Sequence, residues 1–187
     1  MQNITNQIQA SIDLKQKVLE TLSDNIFLVS NLIVECIKAG GKVVFFGNGG
    51  SAADAQHLAG ELMGKFYKER KPYPAIALTT NSSIITAIAN DYEFSDVFER
   101  QVEGLVKEGD IVIGISTSGN SLNVLKGLKK AANLGAKTVG LLGGDGGTIK
   151  EVVTVPVIVP SSDTPRVQEC HITIGHIICS LVEESLG

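Results

Sequence analysis

Two short Gly/Ser-rich stretches hold the side chains best suited to gripping an anion: Gly47-Asn48-Gly49-Gly50-Ser51 and Ser116-Thr117-Ser118-Gly119-Asn120-Ser121. Each follows a brief apolar run and precedes a helical pattern. Small residues let backbone N–H groups close on an oxyanion, and hydroxyls add donors without adding charge. A helix N-terminus behind them contributes the favourable end of its dipole. Neither stretch contains the Gly-Lys-Ser/Thr of a nucleoside-triphosphate loop or completes Gly-x-Gly-x-x-Gly. Either one alone reads equally well as a helix cap after a strand. Together on one sheet edge, with the hydroxyls clustered in the second, they point to phosphate binding. No lysine lies in either stretch, so backbone and hydroxyl groups must do the holding.

His57 and Glu61 are four apart on the helix that opens at Ser51, so they share a face. An imidazole and a carboxylate at this spacing can share a metal or set a base beside a proton donor; a plain surface pair is the ordinary alternative. A second set, Arg166, Gln168, Glu169, His171 and His176, lies on the last helix. Glu169 and His176 are nearly eclipsed there, whereas Gln168 and His176 diverge by about 80° at 100° per residue. Geometry alone therefore favours a Glu169–His176 pair, with a hydrogen-bonded core histidine as the alternative. Asn90 and Asp91 read only as the close of another helix.

The elements that must position these groups follow from periodicity. Residues 3–39 predict a helix with room for one break near Ser23–Asp24. Its stripe of Leu19, Leu22, Ile26, Val29, Ile33 and Cys36 recurs in steps of three and four. Ile4, Ile8 and Ile12 extend an apolar face beyond it, and two readings stand: pairing with another subunit, or folding back on the chain's own domain. Strands are expected at 43–46, 75–78, 111–115, 137–142 and 153–159. Helices are expected from Ser51 to about 63, and at 82–89, 94–106, 122–134 and 164–184. Continuous apolar strands alternating with helices predict a parallel sheet covered on both faces, a three-layer α/β/α sandwich of five strands. Residues 1–40 would form a helical segment for oligomer packing and 41–187 the α/β core of a single domain.

Composition narrows the classes. A chain of 187 residues buries roughly 70% of its unfolded surface as one domain. A net charge of −4 without like-charge blocks gives no footprint for nucleic acid or an anionic membrane. The three cysteines, Cys36, Cys170 and Cys179, lie in no motif and read as buried thiols of a reducing compartment. The N-terminus has neither a basic nor an apolar leader region, and no apolar run is long enough to span a bilayer. A cytoplasmic location is expected.

FFGNGGSAADAQHLAGEL, ALTTNSSIITAIANDY, GISTSGNSLNVLKGL and TPRVQECHITIGHIICSLVE, in this order, resemble the phosphoheptose isomerase family of the sugar isomerase (SIS) fold, and the likeness runs end to end. The resemblance implies interconversion of sedoheptulose 7-phosphate and glycero-manno-heptose 7-phosphate, the first step toward bacterial surface heptose. It also implies a flavodoxin-like topology, a homotetramer with sites at subunit interfaces, and one zinc ion per site. His57, Glu61, Gln168 and His176 match the family's metal ligands, which overrules the geometric preference for Glu169. Asn48, Gly49, Gly50 and Ser51 match its first sugar-phosphate loop, and Asn90 and Asp91 its Asn-Asp pair. Ser116, Thr117, Ser118 and Ser121 match its phosphate-holding loop. Glu61 and His176 would be the opposed acid/base groups. Pro165 stands where some members carry an acidic residue. The competing expectation is a non-catalytic SIS tetramer that binds a replication initiator or senses sugar phosphates. The full set of His57, Glu61, Gln168 and His176 argues against it.

Overall fold

The computed structural model describes residues Met1–Gly187. In chain order the elements are α1 (Gln2–Lys38), β1 (Val43–Gly47), α2 (Gly50–Met63), β2 (Ala75–Ala77), α3 (Ser82–Asp91), α4 (Val97–Leu105), β3 (Ile111–Ser116), α5 (Leu122–Asn133), β4 (Lys137–Gly143), β5 (Val155–Val159) and α6 (Thr164–Leu186). All five strands are parallel, in the order β2-β1-β3-β4-β5.

That order makes the site. From β1 the chain winds outward through α2 to β2, then returns through α3 and α4 to place β3 on the other flank of β1. The direction of winding reverses between β1 and β3, so their carboxyl ends leave a crevice that no crossover helix fills. This is the switch point at which open α/β sheets take ligands. The two Gly/Ser stretches lie immediately beyond β1 and β3.

Alternation along the strands builds two cores. Val43, Phe45, Ile111, Ile113, Ile115, Val139 and Leu141 face α1, α2 and α6. Val44, Phe46, Val112 and Leu142 face α4 and α5. Every residue of β1 and β3 is buried, as a sheet covered on both sides requires.

α1 runs unbroken through the expected break: Leu22 and Ile26 on either side are buried in the core, and the Ser23 hydroxyl donates to the Leu19 carbonyl one turn back instead of competing for the chain ahead. Its buried stripe is Leu14, Val18, Leu22, Ile26, Val29 and Ile33, folded back on the chain's own core. Leu19, expected in that stripe, is 64% exposed, and Ile4, Ile8 and Ile12 are exposed beside it. The expected helix over 94–106 opens with a separate 3₁₀ turn, Phe94–Asp96. The last strand starts at Val155, not 153, because a 3₁₀ turn at Ile149–Glu151 and the Thr138–Thr154 side-chain pair occupy the approach. All three cysteines are free and buried, and burial pushes the Cys179 thiol up to about 12. No helix is long and apolar enough to cross a membrane.

Candidate active site and metal centre

The loop after β1 turns at Gly49, whose φ of +55° and ψ of −121° suit only glycine, and α2 begins at the next residue. The first amides of a helix have no intrahelical acceptor, so this end is open to an anion. Asn48 is tied across the crevice: its Nδ2 donates to Asn123 Oδ1 at 2.8 Å, and Asn123 Nδ2 donates back to Asn48 Oδ1 at 2.9 Å. The reciprocal pair locks the first loop to the N-terminus of α5.

In the second loop, the Ser116 and Ser121 hydroxyls lie 3.0 Å apart and those of Ser116 and Ser118 3.5 Å apart, with Thr117 between. Ser118 Oγ also accepts the Asn120 amide. Hydroxyl hydrogens can rotate, so these three groups can turn toward an anion without moving any heavy atom. The loop is braced from behind by the turn after β4. Gly119 O accepts the Ile149 amide, Asn120 Oδ1 accepts the Thr148 amide, and a Cβ on Gly119 would lie 2.2 Å from Gly146 O.

Down α2, His57 Nε2 stands 3.0 Å from Glu61 Oε1 and 3.1 Å from His176 Nε2 of α6. One ligand atom from each of the three residues falls within 4.8 Å of the others. α2 and α6 can approach because Gly175 presents no side chain: a Cβ there would lie 2.4 Å from Leu58 Cδ2. Leu58 and Gly175 make the contact, and their sequence neighbours His57 and His176 emerge at its rim. The Phe66 ring lies 5.7 Å from that of His176.

Gln168 faces the loop end of α2. A Cβ on Gly50 would meet its Nε2 at 2.5 Å, which sets the carboxamide seven residues, or about 10 Å of helix rise, before His57. Glu169, the geometric choice, pairs instead with Arg166 Nη2 at 2.8 Å. Asn90 and Asp91 end α3 on the surface, with Asn90 Nδ2 donating to Asp91 Oδ1 at 2.9 Å.

Sequence reasoning missed Asn123, which has no motif signal beyond standing two residues after Ser121. It also missed Asp54, one turn before His57. Burial raises the Asp54 carboxyl above its usual range while charge on His57 and His176 pulls it down, and its Oδ2 is buried without a partner. The signal was there in helical spacing, since 54, 57 and 61 recur at three and four.

The trio fits a divalent metal. Two imidazole nitrogens and one carboxylate oxygen are the three-protein-ligand set of catalytic zinc sites, which keep a position open for water or substrate. Tetrahedral zinc–nitrogen bonds of about 2.05 Å set neighbouring ligand atoms about 3.3 Å apart, close to the two shorter separations here.

Comparison with known proteins bears on these groups. The SIS domain family model matches residues 7–143. The phosphoheptose isomerase of Aquifex aeolicus is 52% identical over 184 residues, 98% of this chain and 96% of the relative. Two solved structures superpose over nearly the whole chain. One is a phosphoheptose isomerase from Neisseria gonorrhoeae, at TM-score 0.93 and 39% identity, covering 98% of both chains. The other is a phosphoheptose isomerase from Francisella tularensis, at TM-score 0.95 and 36% identity, covering 98% of this chain and 97% of that one.

Proposed function

The chain belongs to the phosphoheptose isomerase family of the SIS fold, and we propose from that premise that it interconverts sedoheptulose 7-phosphate and glycero-manno-heptose 7-phosphate through a cis-enediol. The observation that carries this reading is the convergence of His57 and Glu61, on the helix that starts at the first anion loop, with His176 of α6, all within 4.8 Å.

The phosphate would rest on Ser116, Thr117, Ser118 and Ser121, and the sugar chain would run past Asn48, Gly49, Gly50 and Ser51, with Gln168 donating from α6. Moving the carbonyl between C1 and C2 takes a proton from one carbon and returns one to its neighbour. Glu61 would remove the carbon-bound proton, and His176 would exchange a proton with the oxygen that alternates between carbonyl and hydroxyl. His57, Glu61 and His176 would hold one zinc ion, which would supply Lewis-acid polarisation of the substrate oxygens. Neither Glu61 nor His176 can be a fixed ligand and a free acid/base group through the same atom, so one role of each loosens during turnover. Gln168 matches a fourth ligand. Its position beside Gly50 means that this role requires either a swing of the side chain down α2 or the same residue from a neighbouring copy.

The exposed row of Ile4, Ile8, Ile12 and Leu19 supports pairing of copies through α1; on the family reading that assembly would be a homotetramer, with residues 1–187 as one SIS domain in the cytoplasm. Asn90 and Asp91, exposed at the end of α3, would contribute to binding the sugar. The presence of the trio favours the enzyme over a non-catalytic SIS tetramer.

The test is to incubate the purified protein with sedoheptulose 7-phosphate, with and without a chelator, and follow aldose formation. The reading requires heptose 7-phosphate to accumulate and chelation to suppress it, with zinc restoring the rate. No aldose in the presence of added zinc would overturn it, and faster turnover of a six-carbon ketose phosphate would move the enzyme to another branch of the fold.

A further inference from the structure

A buried ion pair lies outside the trio yet is bonded to the backbone that carries it. Arg70 and Glu183 pair at 2.8 Å, with side chains only 4% and 2% exposed. The Arg70 guanidinium donates to the Glu61 carbonyl at 2.9 Å, the Leu62 carbonyl at 2.9 Å and the Gly64 carbonyl at 3.0 Å, and so occupies acceptors that the end of α2 leaves open. Glu183 accepts the amides of Phe66, Tyr67 and Lys68 at 3.1, 2.8 and 3.0 Å. The Arg70 guanidinium also stacks 4.0 Å above the Tyr73 ring.

Glu183 lies seven residues after His176 on α6, about 20° from eclipsed, so both project along one line of that helix. His176 meets α2 directly. Glu183 grips the segment that follows α2, and through Arg70 the carbonyl of Glu61 itself. A surface loop would be held in place with far fewer bonds, whereas truncating one member of a buried pair strands the other.

We propose that Arg70 and Glu183 are positioning residues for the isomerisation: they fix the backbone of Glu61 and the ring of Phe66 against His176. This rests on the reading of Glu61 and His176 given above. The bonds run to the carbonyl of residue 61 and the amide of residue 66, the two ends of the stretch that faces His176. Burial works to raise the Glu183 carboxyl, but the Tyr67 and Phe66 amides, Arg70 and the Lys68 amide overcome it and hold the group at about 2. The clamp is therefore charged at every pH at which the enzyme would work.

The experiment compares the wild type with Arg70→Lys, Glu183→Gln and the milder Glu183→Asp, each assayed well below its melting temperature. In zinc-free protein, hydrogen exchange should accelerate at residues 61–68 and stay unchanged in β3 and β4. Zinc affinity, read by competition with a chromogenic chelator, should fall by about 10-fold to 100-fold, as when groups supporting metal ligands are removed. kcat for sedoheptulose 7-phosphate should fall by a similar factor with KM within about twofold, because the phosphate loops are untouched. Glu183→Asp, which keeps the charge, should recover part of each loss. Wild-type zinc affinity and kcat in folded Arg70→Lys and Glu183→Gln would overturn the proposal and leave the pair purely structural. Glu61→Gln separates the two ideas: wild-type turnover in that variant removes Glu61 as the base, while the zinc and exchange measurements still decide the clamp.

Discussion

Leu58 and Gly175 touch where α2 meets α6, so closely that a single added carbon on Gly175 would stand 2.4 Å from Leu58 Cδ2. The distance between the two helices, and with it the 3.1 Å separation of the His57 and His176 nitrogens, depends on that missing side chain.

Gly175→Ala should therefore damage the site more than the fold. Overpacking of this kind costs roughly 1–3 kcal/mol, and helix propensity returns part of it. Thermal unfolding should show a modest loss, while zinc affinity and turnover should fall much further. Full activity in this variant would mean that α2 and α6 can part without separating the trio.

Asn123→Ala breaks the reciprocal amide pair and leaves the half-buried Asn48 side chain short of both partners. A stranded buried polar group costs about 1–3 kcal/mol. KM for the sugar phosphate should rise as the first loop loosens, with kcat less affected. Steady-state kinetics at several substrate concentrations measure the split, and an unchanged KM would count against the bridge.

Gly119→Ala meets two obstacles: a φ of +66° and the Gly146 carbonyl 2.2 Å from the new carbon. The left-handed conformation alone costs roughly 1–2 kcal/mol for an ordinary residue. The hydroxyl loop must shift, and inhibition by inorganic phosphate should weaken in step with substrate binding. Unaltered phosphate inhibition would mean that Ser116, Ser118 and Ser121 do not hold the phosphate.

His171 gives stability an acid limb. It is fully buried, its Nε2 lies 3.0 Å from the Leu142 carbonyl, and burial lowers its pKa to about 4 despite that bond. Between about 6.5 and 4 the unfolded chain binds a proton that the folded one refuses, so stability rises with pH through this window, by up to about 1.4 kcal/mol per unit. The contribution is complete above about 6.5 and is lost as pH falls toward 4. Glu183, lowered from its ordinary 4.5 to about 2, keeps its contribution above about 4.5 and loses it as pH falls from there toward 2, so it touches only the acid foot of this window. Urea unfolding across pH 4–7 should show a slope that disappears in His171→Gln; an identical slope in that variant would assign it to other groups.

Most of the fold was legible in the chain. The alternation of Val43 to Phe46 and of Ile111 to Ile115 names two buried faces, and Gly-rich turns after both strands name the edge where a ligand sits. His57 and Glu61 were readable as a pair because α-helical spacing is local. Boundaries were less so. Leu19 has the period of the buried stripe and yet faces outward, since apolar periodicity states that a face is sticky and not what covers it. The strand expected from Val153 starts later because Thr154 is bonded to Thr138.

What the chain determined alone is everything set within a few residues: helical faces, turn glycines, the hydroxyl cluster, and residues matching a known family in order. What only tertiary structure decided is which distant groups meet. Within one helix, rise and rotation favour Glu169 over Gln168 as the companion of His176, yet Arg166 takes Glu169, Gln168 packs on Gly50, and His176 finds His57, 119 residues away. Helix–helix contact is governed by side-chain volume at a point of closest approach, here Leu58 against Gly175. No local spacing rule carries that information across the intervening chain.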